Sequence, residues 1–511
     1  MQPGNTAIYT AFEDPSEDGK FTTATVEELD LSAGTVTLSM NPAAAAAPPT
    51  SVFRDTFVGS QSLEKSLHAF AEQVRDHGLD QPDAYATAGD LLRRLPPRRG
   101  EVTGQPVRKA DEATLDAATR ACLELTNGVL PIQGPPGSGK TFTGSRAIVA
   151  LALAGNRVGI TAVSHKVIDN LLLSVADAAG EAGVELRLLH KDKGTPPNGI
   201  EYSQKGPEVL TAIAPSTVVG GTAWLWSHDD AIGKLDYLFV DEAGQMSLAQ
   251  TLAASRAAKN LVLLGDPQQL EQPSRGAHPD GADVAALAHV VGSLRTTVAE
   301  DQGLFLDKTW RLPPKICSFT SKVYYEDRLE CIDGCERQRI DGTDILDGAG
   351  MFLHECEHRG NQASAPEEVD AVLRIATQIL NPNATWTDRA GDVHRLTADD
   401  ILVIAPYNAQ VSALKRALGA IGVTHIGTVD KFQGQEAPVV LYSCTSSSPL
   451  DAPRGMSFLY DPHRLNVASS RAKCVFAMVA APALFTPEVK TPEQMRWANG
   501  MCLFHEVARR I

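Results

Sequence analysis

One stretch restricts this chain more than any other. GPPGSGKT occupies residues 134–141, directly after the apolar run VLPIQ and directly before TFTGSRAIVALALAG. The first flank reads as a buried strand and the second as a helix, so a glycine loop joins a strand end to a helix start. Gly134, Pro135, Pro136, Gly137, Ser138 and Gly139 then form a loop whose backbone N–H groups close around phosphate oxygens. The positive end of the helix dipole adds to the same field. Lys140 is placed to neutralise the terminal phosphates and Thr141 to ligate Mg²⁺. A nucleoside triphosphate with Mg²⁺ is the expected ligand, and the chain must build a parallel α/β sheet to present it.

Such a loop needs an acidic partner at the end of a neighbouring strand. Leu-Phe-Val-Asp-Glu (238–242) supplies it: Asp241 as a metal ligand, Glu242 as the group that polarises the attacking water. A further apolar strand, LVLLG, ends in GDPQQL (265–270), which makes Gln269 a candidate sensor of the γ-phosphate and Asp266 a support for the Mg²⁺ shell.

The rest of the chain fits a large α/β protein. From about residue 111, strand-like runs alternate with helical patterns: RVGITAV, STVVGGT, LDYLFVDEA and NLVLLGD, then DILVIAPY, VTHIGTVD, APVVLYS and CVFAMVA. Two sets imply two parallel-sheet domains, at 111–304 and 305–511. Ahead of them, FTTATVEELDL and GTVTLSM around Ser32-Ala33-Gly34 read as a β hairpin, the remnant of a larger β element, followed by the Ala/Pro linker NPAAAAAPPT. Residues 1–50 hold that hairpin and linker; 51–110 hold a helical segment, with Leu63, Leu67, Phe70 and Val74 on one face, and a second linker.

The net charge of −16 excludes a uniformly basic coat, so a nucleic-acid surface must be a local groove. No run reaches the roughly 18 apolar residues of a membrane span. The eight cysteines form no disulfide framework, which points to reduced thiols in the cytoplasm. Cys331 and Cys335 with His354, Cys356 and His358 match the spacing of no standard zinc finger and read as ordinary residues.

GPPGSGKT, DEAGQ (241–245) and GDPQQL resemble motifs I, II and III of the superfamily 1 helicases. LDKTWRLPP (306–314) is similar to motif IV, with Trp310 where tyrosine is usual; APYNAQ (405–410) resembles the element that follows it. TVDKFQGQE (428–436) and LNVASSRAK (465–473) resemble motifs V and VI. These spellings point to the branch that holds the RNA-surveillance helicase and DNA-replication and repair relatives, which move 5′ to 3′. The resemblance implies two tandem RecA-like domains, with ATP and Mg²⁺ between them and single-stranded DNA or RNA bound across them. It implies that Gln269, Arg311 and Arg471 reach the γ-phosphate, that Tyr407 stacks on adenine and that Glu436 contacts the ribose. Ser164, Thr222 and Thr428 are implied contacts to nucleic-acid phosphates. A monomeric motor, free of the membrane and joined to a nuclease domain or subunit, is the expected setting.

The chain departs from the family at two places. Asp116 and Thr119 stand where a glutamine usually reads adenine, which leaves Gln133 or Gln105 as substitutes. Val163 and His165 stand where proline and asparagine are common. Two other readings are a nucleic-acid-stimulated ATPase that clamps without unwinding, and a non-enzymatic scaffold with a degenerate nucleotide site.

Overall fold

The computed structural model describes residues 6–10, 22–30, 35–40, 51–54, 59–79, 85–100, 104–271, 281–432 and 434–511. The chain divides into two units, Met1–Gln61 and Ser62–Ile511. In the first, the expected hairpin is present: Thr22–Asp30 pairs antiparallel with Thr35–Ser39. The sheet is larger than the hairpin, however. Thr6–Thr10 pairs with Thr22–Asp30 on one side and with Ser51–Arg54 on the other, which makes four strands. The segment after the linker therefore opens with a strand, where sequence reading placed only helix. SVFR is too short to show a period on its own. The Ser32-Ala33-Gly34 turn and the linker 41–50 lie outside the described residues.

The larger unit is built on two parallel sheets, each RecA-like. The first has eight strands. In spatial order they are Leu304–Phe305, Val129–Gln133, Ala258–Gly265, Leu235–Val240, Val158–Thr161, Thr217–Gly220, Arg187–His190 and Glu201–Tyr202. Their apolar runs are continuous because both faces are covered. Ala258–Gly265 sends Leu261 and Leu263 into one core cluster and Val262 and Leu264 into the other. Each such fully buried side chain contributes about 1.5–3 kcal/mol.

The second sheet has six parallel strands: Ile426–Gly427, Ile401–Ile404, Ala437–Ser443, Ala472–Ala480, Gly350–Glu355 and Arg509–Arg510. Val440 and Tyr442 face one cluster, Val439 and Leu441 the other. A small antiparallel sheet of Arg339–Asp341, Thr385–Thr387 and Val393–Arg395 accompanies it. In parallel sheets all strands end on one edge, and that edge collects the loops which carry the motifs.

Helix Gln61–His77 buries Leu63 and Phe70 in the core cluster beside the first sheet, with Leu67 and Val74 partly buried against it. All eight cysteines are free thiols. His354 lies against the Ile511 carbonyl and His358 against Ser447 and Glu368, so these side chains have protein partners.

Candidate nucleotide site

The strand Val129–Gln133 runs into the glycine loop, and the helix Lys140–Leu153 leaves it. Gly137 and Gly139 have φ of +73° and +77°, a region that a Cβ disfavours. Gly137 is also needed for space: a Cβ there would lie 2.6 Å from Arg311 Cβ and 2.7 Å from Thr309 Oγ1. The segment after the last strand of the first sheet thus folds back over the loop. The Trp310 N–H donates to the Gly137 carbonyl at 2.8 Å, and Thr309 Oγ1 donates to the Pro136 carbonyl at 2.9 Å.

The DEAGQ and GDPQQL turns meet behind the loop. A Cβ on Gly244 would lie 2.3 Å from the Asp266 carbonyl oxygen, so only glycine allows the two turns to pack. Lys140 Nζ is 2.9 Å from Glu242 Oε1 and 3.7 Å from Asp241 Oδ1. Burial opposes the charge on Lys140, but Glu242, Asp241 and Asp266 outweigh it and hold the ammonium above its usual range. Burial also pushes the Asp241 carboxyl upward against the pull of Lys140. Glu242 adopts φ +52°, a left-handed conformation that costs a non-glycine residue about 1–2 kcal/mol.

The cavity over the loop has a volume of about 350 Å³. It is lined by the whole loop Gly134–Thr141, by Phe142, Glu242 and Gln269, and from the far side by Arg311, Gly434 and Arg471. Eight loop residues and five of the six expected catalytic side chains therefore share one hollow; Asp241 lies directly behind it. Ser138 Oγ is buried there with no hydrogen-bond partner among the described residues.

Arg471 is 2 % exposed. Its Nε donates to the Val467 carbonyl at 3.0 Å and its Nη1 to the Gln435 carbonyl at 3.2 Å. No carboxylate among the described residues comes within ion-pairing distance of it. Burial, reinforced by the nearby Arg311, lowers its pKa to about 9. A guanidinium in such a place is short of an anion. Arg311 is differently held: its Nε donates to Glu436 Oε2 at 2.6 Å, and Lys473 Nζ binds the other Glu436 oxygen at 2.8 Å.

Three expectations need correction. Tyr407 is not brought to this cavity; its ring is buried against Phe458, with centroids 5.6 Å apart. Asp266 is not free to support a metal shell. It accepts from Tyr325 Oη at 2.6 Å, from Gln269 Nε2 at 3.0 Å and from the Gln268 N–H at 3.1 Å. Gln133 is not a spare adenine reader: its Oε1 accepts from the Val298 N–H at 2.8 Å and its Nε2 donates to the Thr296 carbonyl at 3.0 Å. Thr119 turns its hydroxyl back to the Leu115 carbonyl.

Two residues that sequence reading missed lie behind the lining, linked to Asp266. Tyr325 ends the helix Pro314–Tyr324, and Asn466 lies in the helix Pro462–Ser469. Asn466 Nδ2 donates to Tyr325 Oη at 2.9 Å and to the Gln268 carbonyl at 2.7 Å. A buried chain Asp266–Tyr325–Asn466 thereby ties the turn after the strand Ala258–Gly265 to the helix Pro462–Ser469, which Arg471 follows by two residues. The asparagine in LNVASSRAK was in plain view, but nothing in a sequence pairs it with a tyrosine so distant along the chain.

Ser164 and Thr222 follow the adjacent strands Val158–Thr161 and Thr217–Gly220, so both lie on the motif-bearing edge. Ser164 Oγ caps the helix His165–Glu181 by accepting from the Val167 N–H. Thr428 follows the strand Ile426–Gly427 of the second sheet.

A family model described as "AAA domain" matches residues 293–483, and a second of the same description matches 115–291. The chain is 25% identical over 387 residues to the DNA replication ATP-dependent helicase/nuclease JHS1 of Arabidopsis thaliana, covering 68% of this chain and 27% of that one. It is 26% identical to the RNA helicase Mov10l1 of Mus musculus, covering 79% of this chain and 37% of the relative. It is likewise 26% identical to the DNA replication ATP-dependent helicase/nuclease DNA2 of Gallus gallus, over 75% and 37%. The chain thus spans between 27% and 37% of the length of these three relatives.

Proposed function

That the chain belongs to the superfamily 1 helicases is the premise from which we propose that it is an ATP-driven motor on single-stranded nucleic acid, moving 5′ to 3′ on DNA. The observation that carries this reading is Arg471: a buried guanidinium without a carboxylate partner among the described residues, facing a glycine loop across a cavity. A γ-phosphate is the anion that such a position lacks.

In this reading residues 111–304 and 305–511 are the two motor domains. Triphosphate entry draws Lys140 off Glu242 and Asp241 onto the phosphates. Glu242, relieved of its ion pair, then accepts the proton of the attacking water. Gln269 contacts the terminal phosphate from one side, and Arg471 and Arg311 stabilise its developing charge from the other. For Arg311 to do so it must leave Glu436, which frees that carboxylate for the ribose. The donors fit Mg²⁺, since Asp241 is a buried carboxyl 3.7 Å from Lys140, the chain neighbour of the cavity-lining threonine Thr141; bound there, the ion would neutralise the β- and γ-phosphate oxygens. Tyr407 would serve the base only after the Phe458 contact opens.

On the nucleic acid, Ser164, Thr222 and Thr428 would hold backbone phosphates, with little base preference. The nuclease named in two of the relatives supports a nuclease domain or subunit as partner. No helix among the described residues is long and apolar enough to cross a membrane; the eight free thiols favour a reducing, cytoplasmic setting, and a monomeric motor is part of the same proposal. Unwinding of 5′-tailed and 3′-tailed duplexes of DNA and RNA tests the proposal. Strand separation that needs ATP and a 5′ DNA tail is expected; ATP turnover without separation of any duplex overturns it in favour of a clamp.

A further inference from the structure

His165 stands where the family commonly has asparagine, and in the fold it does not stand alone. It opens the helix His165–Glu181 just beyond the strand Val158–Thr161. Two strands away, His190 ends the strand Arg187–His190, and Asp192 follows it in the loop. The three side chains converge at the strand ends of the first sheet. His165 Nδ1 is 3.1 Å from His190 Nε2 and 3.6 Å from Asp192 Oδ1, and the three donor atoms lie within 4.8 Å of one another.

We propose that His165, His190 and Asp192 form a binding site for one divalent transition-metal ion, with zinc as the fitting metal. Two imidazole nitrogens and one carboxylate oxygen are a donor set typical of zinc, with the fourth position left open for water. Tetrahedral ligands about 2.0–2.1 Å from zinc lie about 3.3–3.4 Å apart. The two spacings from His165, 3.1 and 3.6 Å, bracket that value, and the third lies within 4.8 Å, so side-chain adjustment closes the site on the ion.

A second observation points the same way. His190 is fully buried, and its other nitrogen, Nδ1, lies 2.8 Å from Asp169 Oδ1. Asp169 is itself fixed by Tyr202, whose hydroxyl donates to Oδ2 at 2.6 Å. A carboxylate that accepts the Nδ1 proton fixes the tautomer, so the lone pair of Nε2 is turned toward His165. That is the supporting arrangement found behind metal-ligating histidines. The cavity of the glycine loop is lined by none of these residues. Metal here would tie the loop after Arg187–His190 to the start of the helix capped by Ser164, and so stiffen the segment proposed to meet a nucleic-acid phosphate.

The test reads metal, not ATP turnover, so it stands apart from the proposed activity. The full chain, stripped with a chelator, is titrated with Co²⁺ in the presence of excess Mg²⁺ and ADP, which occupy the phosphate site. One Co²⁺ per chain with the intense visible bands of a four-coordinate ion is expected, displaced by one equivalent of Zn²⁺. His165→Ala and Asp192→Asn change exposed or half-exposed side chains and leave the core intact, as circular dichroism should show. Each should weaken Zn²⁺ binding by at least about a hundredfold, and Asp169→Asn, behind the site, by about 10–100-fold. Absence of a stoichiometric four-coordinate spectrum overturns the proposal. So does a His165→Ala chain that binds Zn²⁺ as the unaltered chain does; the two rings would then simply share a hydrogen bond.

Discussion

Tyr325→Phe removes a single oxygen from the buried chain between the two sheets, and its cost can be worked from the contacts. The hydroxyl donates to Asp266 Oδ2 at 2.6 Å and accepts from Asn466 Nδ2 at 2.9 Å. A hydrogen bond to a charged group contributes about 1.5–3 kcal/mol. Asn466 keeps its bond to the Gln268 carbonyl, so the second loss is partial. We expect the variant to be less stable by about 2–3 kcal/mol, read from urea unfolding of the full chain at unchanged slope. Burial already raises the Asp266 carboxyl, and the tyrosine is the largest influence pulling it back. Without it the folded-state pKa climbs further above the unfolded one, so ionisation of Asp266 opposes folding more strongly. The deficit relative to the unaltered chain should therefore be full above the raised folded-state pKa of Asp266 and be lost as pH falls through it. Gln269 hangs on the same oxygen, so kcat should also fall by about tenfold, or 1.4 kcal/mol, with the KM for ATP little changed. A loss under about 0.5 kcal/mol with normal turnover would refute the assignment of this chain as a structural tie between the sheets.

Glu242→Gln should keep ATP affinity and lose turnover, whereas Lys140→Ala should weaken both; an E242Q chain that hydrolyses ATP within a few-fold of the unaltered protein rules out Glu242 as the base. Arg471→Ala should lose on the order of 10³-fold in strand-stimulated turnover while nucleotide binding to the open cleft changes little. Normal stimulated ATPase in that variant removes Arg471 from the site. Gln133 is engaged at both ends and Thr119 is bonded within its own helix, so neither offers a free adenine-reading group. GTP should then be used within about tenfold of ATP by kcat/KM, and a several-hundredfold preference for ATP would contradict this.

What could be read from the sequence was what is local. The glycine loop, the Asp-Glu pair and the apolar strands each declare themselves within ten or so residues, and the fold places them together at one edge. Arg311 and Arg471 were legible through motif resemblance, and the cavity does receive both. What stayed hidden depends on contacts between distant segments. RLLH gave no strand signal because it is four residues long with a polar residue at either end, yet it sits between two other strands of the first sheet. Asp266 looked like a support for the Mg²⁺ shell because it ends a strand beside the glycine loop; only Tyr325, arriving from another helix, together with Gln269 and the Gln268 N–H, shows that it is engaged by protein donors. Tyr407 was placed by analogy, and its ring is occupied by Phe458, a residue in no motif.

The backbone bond between Trp310 and Gly137 has a practical consequence. Of the five tryptophans, Trp310 alone is exposed, at 54 %, and its ring lies 4.9 Å beneath the Arg389 guanidinium. The indole is therefore an optical reporter built into the rim of the phosphate loop. Any shift of the loop displaces the ring relative to that cation and to the surrounding water, both of which set the polarity the indole senses. Nucleotide entry can then be followed as a change in intrinsic emission, without a dye, and Trp310→Phe supplies the silent reference.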